Sequence, residues 1–150
     1  MRVVRSGNMT ELQAYYFEDL SIGLSAVFSR TVTETDVIMF SGISGDTNPL
    51  HLNEEYANET RFKGRIAQGI LVAGFISAAF STKLPGQGCV YVRQNLKFTA
   101  PVRIGDTVHA HVEVIDLIPE RKRAIFKTTC RVGETIVIEG EAELLVPTRS

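Results

Sequence analysis

Residues 40–57 read FSGISGDTNPLHLNEEYA. This stretch sets a carboxylate, Asp46, and an imidazole, His51, a few positions apart, with Gly45, Asn48 and Pro49 around them. Gly and Asn permit backbone conformations that most residues avoid, while Pro49 fixes its own φ and biases Asn48 away from the helical region. The pattern predicts a shaped, non-helical segment that holds the two side chains at a set separation, as general acid–base chemistry on one water requires. Taken singly, each residue has a plainer reading: Asp46 as the cap of a turn, His51 as a core histidine bonded to backbone.

The stretch resembles the signature of the MaoC-like (R)-specific enoyl-CoA hydratases, the hydratase 2 family. That signature runs from an aromatic residue through a short spacer and a small residue to Gly-Asp-x-Asn-Pro-aliphatic-His, with Ala or Ser six positions later. Phe40, Ser44, Gly45, Asp46, Asn48, Pro49, Leu50, His51 and Ala57 fill those places in register. Later elements follow the family's order, so the likeness spans roughly residues 16–147. The resemblance implies an α+β hotdog fold, an antiparallel sheet wrapped around a buried central helix. It also implies hydration of trans-2-enoyl-CoA to (R)-3-hydroxyacyl-CoA, and the reverse dehydration, in fatty acid metabolism; the small residues Ala73, Gly74, Ala78 and Ala79 leave room for an acyl chain, expected to be short to medium. By resemblance Asp46 and His51 are the catalytic pair, and the reaction uses no organic cofactor and no metal. Which of the two moves which proton is not assigned.

An enolate oxygen developing on the thioester needs an N–H donor. Gly69 suits that role, because it begins an apolar helix where amides are unpaired and the dipole is positive. The plain alternative is an ordinary helix start. Many family members carry a His before this glycine; here Gln68 stands instead, a departure that a backbone donor tolerates. The family places a supporting Ser at Ser77, although a small helix residue bonding back to its own backbone accounts for it equally well. Asn48 is expected to shape the loop rather than to touch substrate.

Working back toward the N-terminus, residues 26–32 read as a strand, and Thr33 or Thr35 caps a helix whose first turn is acidic. Val37, Phe40 and Ile43 form its apolar stripe, and Gly42 and Gly45 close it. The Ser21-Ile22-Gly23 run reads as a turn. Residues 1–15 are expected to be an extension, possible disorder included, ahead of a hotdog domain over 16–150. Residues 1–8 lack the apolar core of a targeting signal, and Met9 resembles an alternative start.

Toward the C-terminus, Asn53 caps a short helix over residues 54–59, with Tyr56 and Ala57 facing inward. Residues 60–65 form a polar connector containing Arg61, Lys63 and Arg65. Residues 69–84 leave almost no polar face, which predicts a helix buried on all sides. Pro85 to Gly88 ends it. Residues 89–98, 107–118, 124–132 and 135–146 alternate apolar with polar residues and read as antiparallel strands joined by turns.

Composition sets the outer limits. A chain of 150 residues with 44% hydrophobic and 22% charged residues fits one globular domain with a sizeable core. Its 16 basic and 17 acidic residues, net charge −1, give no reason to expect nucleic acid or an anionic membrane as partner. The longest apolar run is too short to span a bilayer, so a cytoplasmic protein is expected. Cys89 and Cys130, with no CxxC, read as two buried free thiols. His109 and His111 share one strand face without a carboxylate or Cys cluster, so solvent-facing positions are favoured over a metal pair. Arg61, Lys63, Arg65 and Arg93 are undifferentiated candidates for the phosphates of coenzyme A. A lone hotdog leaves a sheet edge open, which predicts a homodimer. Three other functions stay open: a 3-hydroxyacyl-ACP dehydratase, a hotdog acyl-CoA thioesterase, and a silent acyl-thioester-binding subunit. A thioesterase does not require the Asp-x-Asn-Pro-x-His loop, and the presence of both Asp46 and His51 argues against a silent subunit.

Overall fold

The computed structural model describes residues 2–4 and 12–150, with side chains from Ala14 onward. Along the chain run β1 (Arg2–Val4), β2 (Leu12–Ala14), β3 (Ser25–Thr31), α1 (Glu34–Ser44), α2 (Pro49–Leu52), α3 (Glu54–Asn58), α4 (Gly69–Thr82), β4 (Val90–Gln94), β5 (Lys97–Phe98), β6 (Thr107–Ile118), β7 (Arg123–Val132) and β8 (Thr135–Leu145). Of the expected extension, residues 1 and 5–11 lie outside the described residues, while β1 and β2 pair antiparallel.

The other strands form one antiparallel sheet in the order β3-β6-β7-β8-β4, with β5 also paired to β8. In β6, Val108, Ala110, Val112 and Val114 turn inward and are fully buried, as a two-residue period on a half-buried sheet requires. The helix α4 packs on β3, β6 and β7. It buries Leu71, Val72, Phe75, Ile76, Ala79 and Phe80 against them, and the Phe80 ring meets Phe126 edge to face at 4.9 Å. The architecture is the α+β hotdog arrangement, a sheet wrapped around a central helix. Among the described residues no helix is long and apolar enough to cross a membrane.

Burial of α4 on every side is corrected by the structure. Ile70, Gly74 and Ser77 lie exposed along one stripe of the helix, spaced as neighbours on one helical face. All three are apolar or small, so hydropathy alone could not reveal which side stays open.

Thr33 is the cap of α1. Its hydroxyl accepts from the Asp36 amide at 3.2 Å, and the Asp36 carboxylate accepts from the Thr33 amide at 2.9 Å, a reciprocal capping box. The helix runs through Gly42 and ends at Gly45, whose φ of +81° is left-handed. Val37 is buried as expected, but Ile43 is 82% exposed.

The expected non-helical segment is also corrected. Pro49 starts the short α2, and the Asn48 side-chain oxygen accepts from the Leu50 amide at 3.0 Å. Proline at the first helical position is pre-organised for a helix and lacks only a hydrogen that would go unpaired there. His51 therefore stands on a helical turn. In α3, Ala57 is buried, but Tyr56 points outward.

Residues 89–98 do not make the single strand expected. The register shifts between Tyr91 and Arg93, and β5 begins after a break at Asn95. A Cβ on Gly140 of β8 would stand only 2.0 Å from the Asn95 carbonyl oxygen, so the kinked chain fits because glycine lies beneath it. The kink brings the Phe98 ring onto the start of α4.

Candidate active site

The carboxylate of Asp46 is aimed by the turn that leaves α1. Ser44 donates its hydroxyl to the Phe40 carbonyl at 2.6 Å and accepts from the Asp46 amide at 3.1 Å. Asp46 Oδ1 in turn accepts from the Asn48 amide at 3.3 Å. Oδ2 is left facing His51, 3.8 Å from Nε2. The Asp46 side chain is 44% exposed and that of His51 only 10%.

His51 is held at two points. Its Nδ1 lies 2.8 Å from the Ile66 carbonyl oxygen. Its own carbonyl accepts from Arg65 Nε at 2.6 Å, while the rest of that guanidinium closes on Glu34 at 2.9 and 3.0 Å. A separation of 3.8 Å is too long for a direct hydrogen bond between Asp46 and His51. One oxygen atom about 2.8 Å from each reaches both at once.

The third expected group is the amide at the start of α4. No side chain caps that end, because Gln68 turns into the core. There its Nε2 donates to the Val37 carbonyl at 3.1 Å and to Ser41 Oγ at 2.9 Å. Its Oε1 is buried with no hydrogen-bond partner. Asp46, His51 and Gly69 line one cavity of about 410 Å³. Much of the remaining wall is apolar, with Ile66, Val72, Phe98, Val137 and Ile138 contributing, and Arg61 lines it as well. Asn48 and Ser77 do not line the cavity. Asn48 shapes the turn as the cap of α2, and Ser77 sits on the open stripe of α4.

Sequence reasoning missed the sheet side of this cavity. Phe98, Val137 and Ile138 come from β5 and β8, and nothing in their local pattern marks them as lining. A constrained approach at Phe98 was not legible either, because it depends on Gly69 lying opposite. The exposed His109 bonds Ser29 Oγ at 2.6 Å through Nδ1, and His111 lies on the outer sheet face with Glu113, Lys127 and Arg131. Among the described residues no group of three or more His, Cys, Asp or Glu is arranged to hold a metal. The strongly raised groups lie away from the cavity: burial pushes the Cys130 thiol up to about 12, and burial first, then Cys130, takes the Tyr91 hydroxyl to about 12.

Comparison with known proteins identifies the family. The MaoC like domain family matches over residues 21–140. The chain is 56% identical, over 93% of its length and 96% of the relative, to the Rhodospirillum rubrum protein named (R)-specific enoyl-CoA hydratase. It is 50% identical, over 93% and 88%, to the 3-hydroxybutyryl-CoA dehydratase of Methylorubrum extorquens. Among solved structures, the unliganded R-hydratase PhaJ1 of Pseudomonas aeruginosa superposes with a TM-score of 0.87 at 38% identity, covering 92% of this chain and 89% of that one. The (R)-hydratase of A. caviae involved in PHA biosynthesis gives 0.84 at 35% identity, covering 87% and 99%.

Proposed function

The chain belongs to the MaoC-like domain family, and from that premise we propose that it is an (R)-specific enoyl-CoA hydratase, a hydro-lyase. It adds water to a trans-2-enoyl-CoA to give the (R)-3-hydroxyacyl-CoA, and it dehydrates in reverse. The observation that carries the reading is the 3.8 Å gap between Asp46 Oδ2 and His51 Nε2, opening on the cavity that Gly69 also lines.

In this reading the water oxygen bonds to the β-carbon while the alkene electrons move through the carbonyl to the thioester oxygen. The Gly69 amide donates to that oxygen, and losing such a donor costs about 10²–10³ in rate. Collapse of the enolate places a proton on the α-carbon. The pair takes one proton from water and delivers one to carbon, so it returns to its starting state. Side chains, one amide and water supply all of this, with neither organic cofactor nor metal. The apolar wall suits a short to medium acyl chain, and the place of the enzyme is in fatty acid metabolism.

We propose a homodimer joined edge to edge at the sheet. The edge strand β4 leaves Val90, Tyr91 and Val92 exposed, and an apolar sheet edge is ordinarily paired or covered. A monomer by light scattering at working concentration overturns this. Two free thiols, Cys89 and Cys130, support a reducing compartment, the cytoplasm. A net charge of −1 supports neither a nucleic-acid nor a membrane partner.

The test is incubation with crotonyl-CoA and chiral analysis of the product. (R)-3-hydroxybutyryl-CoA is expected. Release of free coenzyme A identifies a thioesterase instead, and binding without turnover identifies a silent subunit.

A further inference from the structure

The cations near the cavity were equivalent in sequence, and their partners now separate them. Arg65 is closed on Glu34 and on the His51 carbonyl. Arg93 pairs with the buried Glu143 at 3.3 Å. Arg103 commits its guanidinium to the carbonyl oxygens of Phe62, Gly64 and Arg65. Lys63 does not line the cavity. Arg61 does line it, is exposed, and among the described residues makes no ion pair.

The turn that carries Arg61 is fixed from both sides. Thr60 donates its hydroxyl to the Ala57 carbonyl at 2.6 Å and accepts from the Phe62 amide at 3.3 Å, while Arg103 clamps the carbonyls that follow. The guanidinium of Arg61 lies 4.8 Å from the centre of the Phe62 ring. Stacking holds its planar fork open, and that fork matches the oxygens of a phosphate. A group already held in place loses little freedom when it binds. A positive charge of this kind at the rim of an acyl-thioester cavity has an obvious complement in the anionic end of the thioester's carrier.

We propose that Arg61 binds the 4′-phosphate of the pantetheine arm that delivers the acyl thioester, so that the rim reads the carrier and the apolar wall reads the chain. The inference rests on the hydratase reading. Coenzyme A and acyl carrier protein both bear a phosphate at this position, the first as a diphosphate and the second as a phosphodiester to serine.

The experiment compares the wild type with Arg61→Gln on crotonyl-CoA, crotonyl-3′-dephospho-CoA and crotonyl-pantetheine. The variant is expected to raise KM about tenfold for the two phosphorylated substrates, the size of one charge-assisted hydrogen bond, with kcat little changed. Crotonyl-pantetheine, which has no phosphate, is expected to give the same KM with both proteins. The wild-type KM for crotonyl-CoA should rise with ionic strength more steeply than that of the variant. An unchanged KM for crotonyl-CoA, an equal loss on crotonyl-pantetheine, or a loss on crotonyl-CoA that spares the dephospho compound would each overturn the assignment. Calorimetric titration with free coenzyme A reads the same contact without turnover: binding about tenfold weaker in Arg61→Gln supports it, and equal binding overturns it. A wild type inert on all three thioesters would count against the hydratase reading alone, since the titration still judges Arg61. Adding crotonyl-acyl carrier protein shows which carrier supplies the phosphate, and loss in the variant on whichever carrier is used supports the contact.

Discussion

His51 gives its Nδ1 hydrogen to the Ile66 carbonyl oxygen across 2.8 Å. A carbonyl can only accept, so the neutral ring is held in the tautomer whose lone pair sits on Nε2. That nitrogen is the one 3.8 Å from Asp46 Oδ2. A backbone contact thereby decides which ring atom faces Asp46.

Replacing His51 with Ala, or Asp46 with Asn, should lower kcat for crotonyl-CoA hydration by about 10²–10⁴ while KM moves little. The enoyl thioester absorbance followed over time measures this. Hydration within about tenfold of wild type in both variants would remove the pair from the proton transfers.

Gly69 and Phe98 are predicted to be coupled. A methyl group on Gly69 would stand 2.6 Å from the Phe98 ring, so Gly69→Ala must displace that ring or the first turn of α4. Overpacking of this sort costs about 1–3 kcal/mol, and kcat should fall as the amide shifts. Adding Phe98→Ala should recover part of the stability. Strict additivity in denaturant titrations of the four proteins would show that the ring is not what the methyl meets.

Gln68→Glu should be more damaging than its size suggests. The substitution removes the two donors to the Val37 carbonyl and Ser41 Oγ and sets a buried carboxylate oxygen toward a carbonyl oxygen. An uncompensated buried charge costs about 3–5 kcal/mol. The Ser41 carbonyl also accepts from the Gly45 amide at 3.0 Å, just ahead of Asp46, so kcat should fall together with the melting temperature. A variant of unchanged stability would mean that Gln68 does not tie α1 to α4.

The cap of α1 predicts an acid-sensitive step. Burial pushes the Asp36 carboxyl up, but the amide and hydroxyl of Thr33 and the Arg30 guanidinium together hold it below its ordinary value of 3.8. A carboxyl depressed by folding stabilises the protein above its unfolded value, and that contribution is lost as pH falls through the folded one. Asp36→Ala should therefore cost about 1 kcal/mol at neutral pH, with the gap to wild type closing once the medium is more acidic than the ordinary carboxyl value. Urea midpoints across that range measure it. A gap independent of pH would exclude the ionised cap.

Thiol chemistry gives an independent probe of packing. Burial raises Cys89 and takes Cys130 up to about 12, and the thiolate is the reactive form. Both should label slowly in the native protein at neutral pH and rapidly in denaturant. Fast native labelling of Cys130 would contradict its place in the core.

Much of this site was readable in one dimension because its chemistry is local. Asp46, Asn48, Pro49 and His51 lie within one short stretch, and Gly69 opens the most apolar run in the chain. The helical turn beneath His51 was not readable, because the same Pro49 that biases its predecessor away from a helix also begins one. The far wall was hidden for a different reason. Val137 and Ile138 are neighbours in an apolar run, and a register shift between β7 and β8 at this point leaves both buried on the cavity side. Choosing Arg61 among the cations needed Glu34 and Glu143, partners distant in sequence whose positions follow from the fold.

Surface connectors usually accept added residues at little thermodynamic cost. The span from Arg65 to Ala67 is unlike them, because its main chain and side chain are already committed: Arg65 to the His51 carbonyl, Ile66 to the ring, and the Ala67 amide to the Val102 carbonyl at 2.7 Å. Lengthening it by one residue would throw these attachments out of step with one another. Evolutionary or engineered length variation in this enzyme should therefore collect in its β-turns and stay out of the one loop that looks freest.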